Sequence, residues 1–338
     1  MAVHKLFKDF WVLVRGGGEL ASGAIRRLVW AGFPTVVLEI ERPLAVRRLV
    51  SFAQAVFTGE CEVEGVKGKL VRDLAEAKRY IEEVGGVPVM IDPEAKTLEE
   101  LKPMVLLDGR MAKCPLDTRI GQAPIVIALG PGITAGVHAD AVIETKDGPQ
   151  DGRVIYEGQA IPDTGVPCES YGYREERVLR APRAGVFRAA HEIGDKVQAG
   201  EIVGWVEDEP VRAKISGVIR GLLYSGLEVE EGTKLGDVDH RGEASDCCRT
   251  SEKADSVACG VLEAIFTLGL ERGLFSDTSR PIGVQSQSQS RSRSQSQSRR
   301  VRWGDDRQGA PGVCGRARPR EKGCGCPDRP GLHSGKTR

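Results

Sequence analysis

With 338 residues, 48 basic and 48 acidic, the chain has room for two or more domains, and it holds no apolar run long enough to span a bilayer. Nine cysteines, an odd number without a disulfide framework or paired zinc spacing, point to a reducing cytoplasm and away from a metal centre. The zero net charge hides an asymmetry: residues 279–338 carry 14 basic and 4 acidic side chains, which leaves 34 and 44 in the first 278, so the body is acidic and argues against nucleic acid as its partner.

In chain order, the first element is the short apolar run at 11–14, which reads as a strand buried on both faces. It is too short for a signal peptide and is followed at once by Arg15 and glycines. Gly16, Gly17 and Gly18 form a turn, and Ala21, Ile25, Leu28 and Val29 then recur at helical spacing. Thr35 to Leu38 gives a second strand with Glu39 at its carboxyl end. Gly16-x-Gly18-x-x-Ala21, with an acid about 20 residues on, fits the dinucleotide fingerprint: phosphate on the helix N-terminus, ribose on the carboxylate. Glu19 would repel a phosphate there, and Arg15 is placed to offset it. A βαβ turn without a ligand is the alternative.

Pro43 opens a helical pattern, "RPLAVRRLVSFAQAVF", and "LAEAKRYIEEVG" is a helix closed by Gly85 and Gly86. "VPVMID", "MVLLDGR" and "IVIALGPG" are strands. The fold predicted for residues 1–150 is therefore α/β, a doubly wound Rossmann-like domain. Ligands of such sheets bind outside the carboxyl ends of the strands, so Gly16, Gly18, Glu39, Asp108, Arg110, Gly130 and Gly132 are the candidate ligand-binding residues. A catalytic set is not evident; His138 is the one histidine near these loops.

Residues 151–177 read as a connection, punctuated by Pro162, Gly165, Pro167 and Gly172. Residues 178–240 contain a repeat with an offset of 32: Gly185, Arg188, Gly194, Gly200, Gly204 and Val206 correspond to Gly217, Arg220, Gly226, Gly232, Gly236 and Val238. Two copies are too few for a solenoid and suit two interlocked halves of a small sandwich. The pattern resembles the biotinyl/lipoyl barrel-sandwich domains. Their carrier lysine is missing from the joining segment 207–212, and Lys214 lies beyond it, so the resemblance implies the fold without biotin or lipoate. Residues 250–272 form an amphipathic helix that should pack back on the α/β domain, with Cys259 near its apolar side. From Ser279 the composition is low-complexity and basic, as expected of a disordered tail over 279–338.

The ordered series "RGGGELASG", "RPLAVRRLVSFAQAV", "DGRMAK", "ALGPGITAG", "AVIET", "GRVIYEG", "ERVLRAP", "ISGVIRGLL" and "SEKADSVACGVLEAI" resembles the YqeB family, proposed accessory proteins of selenium-dependent molybdenum hydroxylase systems. The resemblance covers roughly residues 11–270. The Asp108-x-Arg110 strand end is also similar to one in the XdhC group of molybdenum-cofactor insertion factors. The resemblance implies a maturation role, a molybdenum hydroxylase as client, and a nucleotide-type ligand such as the molybdenum cofactor in its dinucleotide form. It transfers no catalytic residue. The chain differs from the family pattern in its third glycine, in "KDGPQDG" (146–152) and at Cys259. A nicotinamide-dependent oxidoreductase is the second functional expectation, permitted by the glycine turn and Glu39.

Overall fold

The first strand, β1 (Val12–Arg15), is buried along its whole length and is flanked in parallel register by β2 (Thr35–Glu39) on one side. The computed structural model describes residues 7–275 other than Cys168 and Tyr171, all within one compact unit; the tail expected at 279–338 lies outside them. The strands follow in chain order as β3 (Glu60–Val63), β4 (Val66–Leu70), β5 (Val87–Ile91), β6 (Val105–Asp108), β7 (Ile125–Leu129), β8 (Thr134–Ala135), β9 (Ala141–Ile143), β10 (Val154–Ile155) and β11 (Gly158–Gln159). Nine of them make one sheet in the order β10-β9-β7-β6-β1-β2-β5-β4-β3, parallel from β9 to β4 with an antiparallel strand at each edge. β8 and β11 pair separately. The chain winds outward from β1 first through β2 and later through β6, so the order reverses between β1 and β6, where open α/β sheets bind ligands.

Alternation along the strands divides the core. Val12, Val14, Leu107 and Ile127 face α1 (Glu19–Trp30) and the long C-terminal helix; Leu13, Val36, Leu106 and Val126 face the other layer. The short α2 (Ala55–Thr58) follows two single turns, and α3 (Leu74–Val84) and α4 (Thr97–Leu101) cover the second face. Asp73 caps α3 by accepting from the Glu76 amide, and Gly85 ends it at φ +69°. The C-terminal helix, α5 (Glu252–Glu271), lies against α1, so close that a Cβ on Gly23 would stand 2.7 Å from the Ala254 carbonyl oxygen.

Residues 178–240 add β12 (Val178–Arg180), β13 (Gly185–Ala189), β14 (Lys196–Val197), β15 (Ile202–Val206), β16 (Glu209–Arg212), β17 (Gly217–Leu222), β18 (Glu228–Val229) and β19 (Lys234–Asp239). They form two four-stranded antiparallel sheets around a core of their own that includes Phe187, Val203, Ile219 and Leu235. The halves interlock: β13 of the first copy pairs with β18 of the second, and β17 of the second with β14 of the first.

Three expectations change. The helix expected from Pro43 is broken into turns at Arg48–Val50 and Phe52–Gln54 before the four-residue α2. Its backbone is claimed from outside: Val46 O accepts from Leu222 N, Ala53 N donates to Gly17 O, and Phe52 N donates to the Ser22 hydroxyl. Such tertiary bonds override helix propensity. The joining segment 207–212, for which an exposed loop is expected, is a tight turn at Glu207 (φ +54°) followed by β16, with Val211 buried. Cys259 is exposed, because Ala258 and Val261 on the same helix take the inward positions.

Candidate functional site

Each glycine of the opening turn meets a different neighbour. Gly16 adopts φ +87°, and a Cβ there would lie 3.1 Å from Arg110 Cα. Gly17 donates its amide to Glu39 Oε1 at 2.5 Å and accepts at its carbonyl from Ala53 N and the Ser22 hydroxyl. A side chain on Gly17 would run into Ala53 N, 3.0 Å from a Cβ. Gly18 precedes α1 without a capping side chain, and a Cβ there would have nothing within 4 Å. The amides of the first helical turn therefore begin at an open position.

Glu39 stands at the end of β2, as expected, but its carboxylate is turned inward. Oε1 accepts from Gly17 and Oε2 from Ile40 N at 3.1 Å, with only 9% of the residue exposed. Burial pushes this carboxyl above its ordinary value, and the two amides oppose that push.

At the switch point, Arg15 of β1 lies opposite Asp108 of β6. Arg110 grips Asp108 with two nitrogens, Nε at 3.0 Å and Nη2 at 2.7 Å, while the Thr118 hydroxyl donates to the same carboxylate. Asp117 joins the arginines: Oδ1 lies 2.8 Å from Arg110 Nη2, and Oδ2 accepts from Arg15 Nη1 at 2.7 Å. Arg15 also donates to Pro93 O. Burial alone would raise the Asp108 carboxyl; Arg110 and Thr118 outweigh it and hold the group below its ordinary value. Asp117 is lowered likewise, burial being overcome by Arg15 and Arg110. The carboxyl ends of β1 and β6 are thus bridged by compensated charges.

Gly130 and Gly132 end β7 at φ +76° and +91° and pack on the chain beyond Arg110: a Cβ on Gly130 would come within 2.9 Å of Met111 Cε, and one on Gly132 would overlap the Lys113 backbone. Gly16, Arg110, Gly130 and Gly132 are therefore linked at one end of the sheet in a chain of contacts, Gly16 to Arg110, then Met111 and Lys113 to Gly130 and Gly132, with Asp108 held by Arg110 and Glu39 by Gly17. None of the seven lines the cleft beside them.

The void lies beside them. A cleft of ≈ 580 Å³ is bounded by Glu19 and Arg47 of the α/β body, by 163–167, by Arg220 of β17 and by Ser251 and Lys253 at the start of α5. Arg47 is nearly buried; it donates to Glu19 Oε1 at 3.1 Å and to Arg249 O at 2.8 Å, and among the described residues its Nε has no partner. Glu19 thus enters the cleft as half of an ion pair rather than as a bare negative charge. Sequence reasoning missed Asp117, Thr118 and this role of Arg47, since no period or spacing links them to the glycine turn; Arg220 was visible only as a repeat match.

Two other reactive side chains, His138 and Cys61, are engaged. His138 Nδ1 accepts from Thr134 N at 3.1 Å within its own turn. Burial pushes the Cys61 thiol up to about 12, which leaves it protonated. Among the described residues, no three His, Cys, Asp or Glu side chains gather as a metal would require, and no helix is long and apolar enough to cross a membrane.

No family model matches the sequence. Over 257 residues it is 47% identical to the uncharacterized protein YqeB of Escherichia coli (strain K12), an alignment covering 76% of this chain and 47% of that protein. The chain is a homologue of YqeB. It spans about half of YqeB's length. Among solved structures, the YqeB homologue is similar to a succinylglutamatedesuccinylase/aspartoacylase from Rhodobacter sphaeroides, at 21% identity and TM-score 0.19 over 27% of this chain and 31% of that one. An aspartoacylase family protein from Mesorhizobium loti aligns at 14% identity and TM-score 0.23, over 68% of this chain and 84% of that one. Likenesses this weak bear on neither mechanism nor substrate.

Proposed function

We propose that this YqeB homologue is an accessory protein in the maturation of selenium-dependent molybdenum hydroxylases, and that it holds a nucleotide-type ligand, such as the dinucleotide form of the molybdenum cofactor, at the open side of the Gly16–Gly18 turn. The observation that carries the reading is Gly18: the uncapped start of α1 has free space in front of it, and the next residue lines the cleft. Exposed amides and the helix dipole favour an anion there. The switch-point position and the ordered motifs shared with the YqeB family support the role.

The nicotinamide-dependent oxidoreductase is the second reading, favoured by the complete strand–turn–helix–strand unit ending in Glu39. Its ribose contact would require Glu39 to leave the Gly17 amide. Calorimetry with cytidine and adenosine nucleotides, nicotinamide dinucleotides and the molybdenum cofactor's dinucleotide form tests both. Binding that Gly18→Val abolishes is the expected result. Hydride exchange on a labelled nicotinamide would favour the enzyme, and equal binding by the G18V variant would reduce the turn to architecture.

A further inference from the structure

The charged cleft has a use that the glycine turn alone does not supply. Seven Lys or Arg side chains and four Asp or Glu line it, an excess of positive charge in a body whose first 278 residues carry ten more acids than bases. Every one of the four acids is matched: Glu19 to Arg47 at 3.1 Å, Asp147 to Lys253 at 3.2 Å, Asp163 to Lys113 at 2.5 Å and Asp237 to Arg177 at 3.2 Å. Among the described residues no carboxylate lies within ion-pair distance of Arg220. A local positive field walled by protein concentrates anions.

The internal repeat singles out the same residue. Arg188, its counterpart in the first copy, donates to the Glu207 carbonyl at 2.6 Å and so serves the hairpin. Arg220 makes no such bond to the corresponding turn among the described residues and stands in the cleft wall instead. Arg47, also in that wall, has its Nε buried and without an acceptor among the described residues. The Arg47 stem lies against β17 next to Arg220, since a Cβ on Gly221 would stand 3.2 Å from Arg47 Cδ.

A second, smaller pocket of ≈ 150 Å³ adjoins the cleft and shares Lys113, Asp163, Val166 and Lys253 with it. Its other walls are Met111, Pro131, Ile161 and Pro162, together with Thr145, Lys146 and Thr164. An apolar slot with a few polar groups is what a planar ring requires.

We propose that cleft and slot form one bipartite site for a phosphoester carrying a flat ring, with Arg220 and Arg47 taking the phosphate charge and the slot over Pro131 and Ile161 taking the ring. The proposal rests on the nucleotide reading for its ligand class and goes beyond it in placing the charge against the β-sandwich, on residues outside the fingerprint. Titration calorimetry on the full chain with inorganic pyrophosphate, cytidine and cytidine diphosphate tests it, with thermal melting to confirm folding. The diphosphate should bind most tightly. Arg220→Gln should weaken both phosphate-bearing probes about tenfold, the loss expected of one charge-assisted contact, while Arg188→Gln should change neither. Ile161→Ser should weaken the diphosphate several-fold and leave pyrophosphate unchanged. Unchanged binding by R220Q, or pyrophosphate binding as tightly as the diphosphate, would overturn the bipartite site. If G18V abolishes binding while R220Q matches the native protein, the turn reading stands and the cleft fails. If R220Q weakens binding while G18V does not, the cleft stands and the turn fails. Absence of binding by any probe overturns both.

Discussion

Asp108 illustrates what single residues contribute at the sheet's carboxyl end. It is buried, and its bidentate partner Arg110 is held by Asp117 as well. Asp108→Asn should therefore cost about 2 kcal/mol, less than the roughly 3–5 kcal/mol of a buried pair broken outright, because Asp117 still faces Arg110. The sign of the pH effect follows from its lowered carboxyl. Its stabilisation is present above the unfolded value and is lost as the pH falls through the folded one, so the D108N variant should lose less stability on acidification, as read by urea titration. Glu39 behaves in the opposite way, since burial raises it. Its stabilisation is complete below the ordinary carboxylate value and is lost as the pH rises through the raised one. Glu39→Gln, whose amide oxygen can still accept from Gly17, should gain on the native protein as the pH rises above the ordinary carboxylate value of about 4; a difference that stays constant with pH would mean that Glu39 is not raised. The sequence placed Asp108, Arg110 and Glu39 at strand ends through hydrophobic runs alone. Which way Glu39 turns, and that Asp117 and Thr118 return to Asp108, depend on loops without periodicity.

Among elements, α1 and α5 were legible because amphipathic spacing over several turns is hard to produce otherwise. Their mutual approach was not legible, since a glycine in a helix pattern does not reveal what crosses it. Gly23 is where the crossing is tightest. On propensity alone Gly23→Ala should stabilise α1 by about 1 kcal/mol. The added carbon would meet the Ala254 backbone at 2.7 Å, and that backbone cannot rotate away as a side chain would. Displacing α5 should dominate, giving a net loss of about 1–3 kcal/mol and a lower melting temperature; a rise would show that the helices part without cost. The failed helix after Pro43 teaches the complement. Its pattern was sound, but Ser51 at φ −133° breaks it, and the carbonyl of Val46 and the amides of Phe52 and Ala53 bind other elements.

For the whole molecule, matched glycines revealed the interlocked β-sandwich, since turns at fixed offsets survive where packing residues vary. The seam between that sandwich and the α/β body left no such trace, because it is made by the short turns and the four-residue α2 over 46–57. There Leu222 N donates to Val46 O, Phe57 stacks on Tyr224 at 4.3 Å, and Arg48 Nε donates to Leu222 O at 2.7 Å, its guanidinium 5.5 Å from the Tyr224 ring. Arg48 is nearly buried, and its one ion pair, to the exposed Glu192 at 3.3 Å, should add little. Its main service is the charged hydrogen bond across the seam. Arg48→Met keeps most of the stem and removes that bond, which should cost about 1.5–3 kcal/mol. The cleft has walls on both sides of the seam, so the same substitution should weaken ligand binding although Arg48 does not line the cleft. Tryptophans report on each side separately, Trp205 in β15 and Trp11 beside β1. With each made the sole fluorophore in turn, the two should unfold at one denaturant concentration in the native background. In the R48M background the Trp205 transition should move to lower denaturant ahead of that of Trp11. Coincident transitions at the native midpoint would show that the seam holds without Arg48.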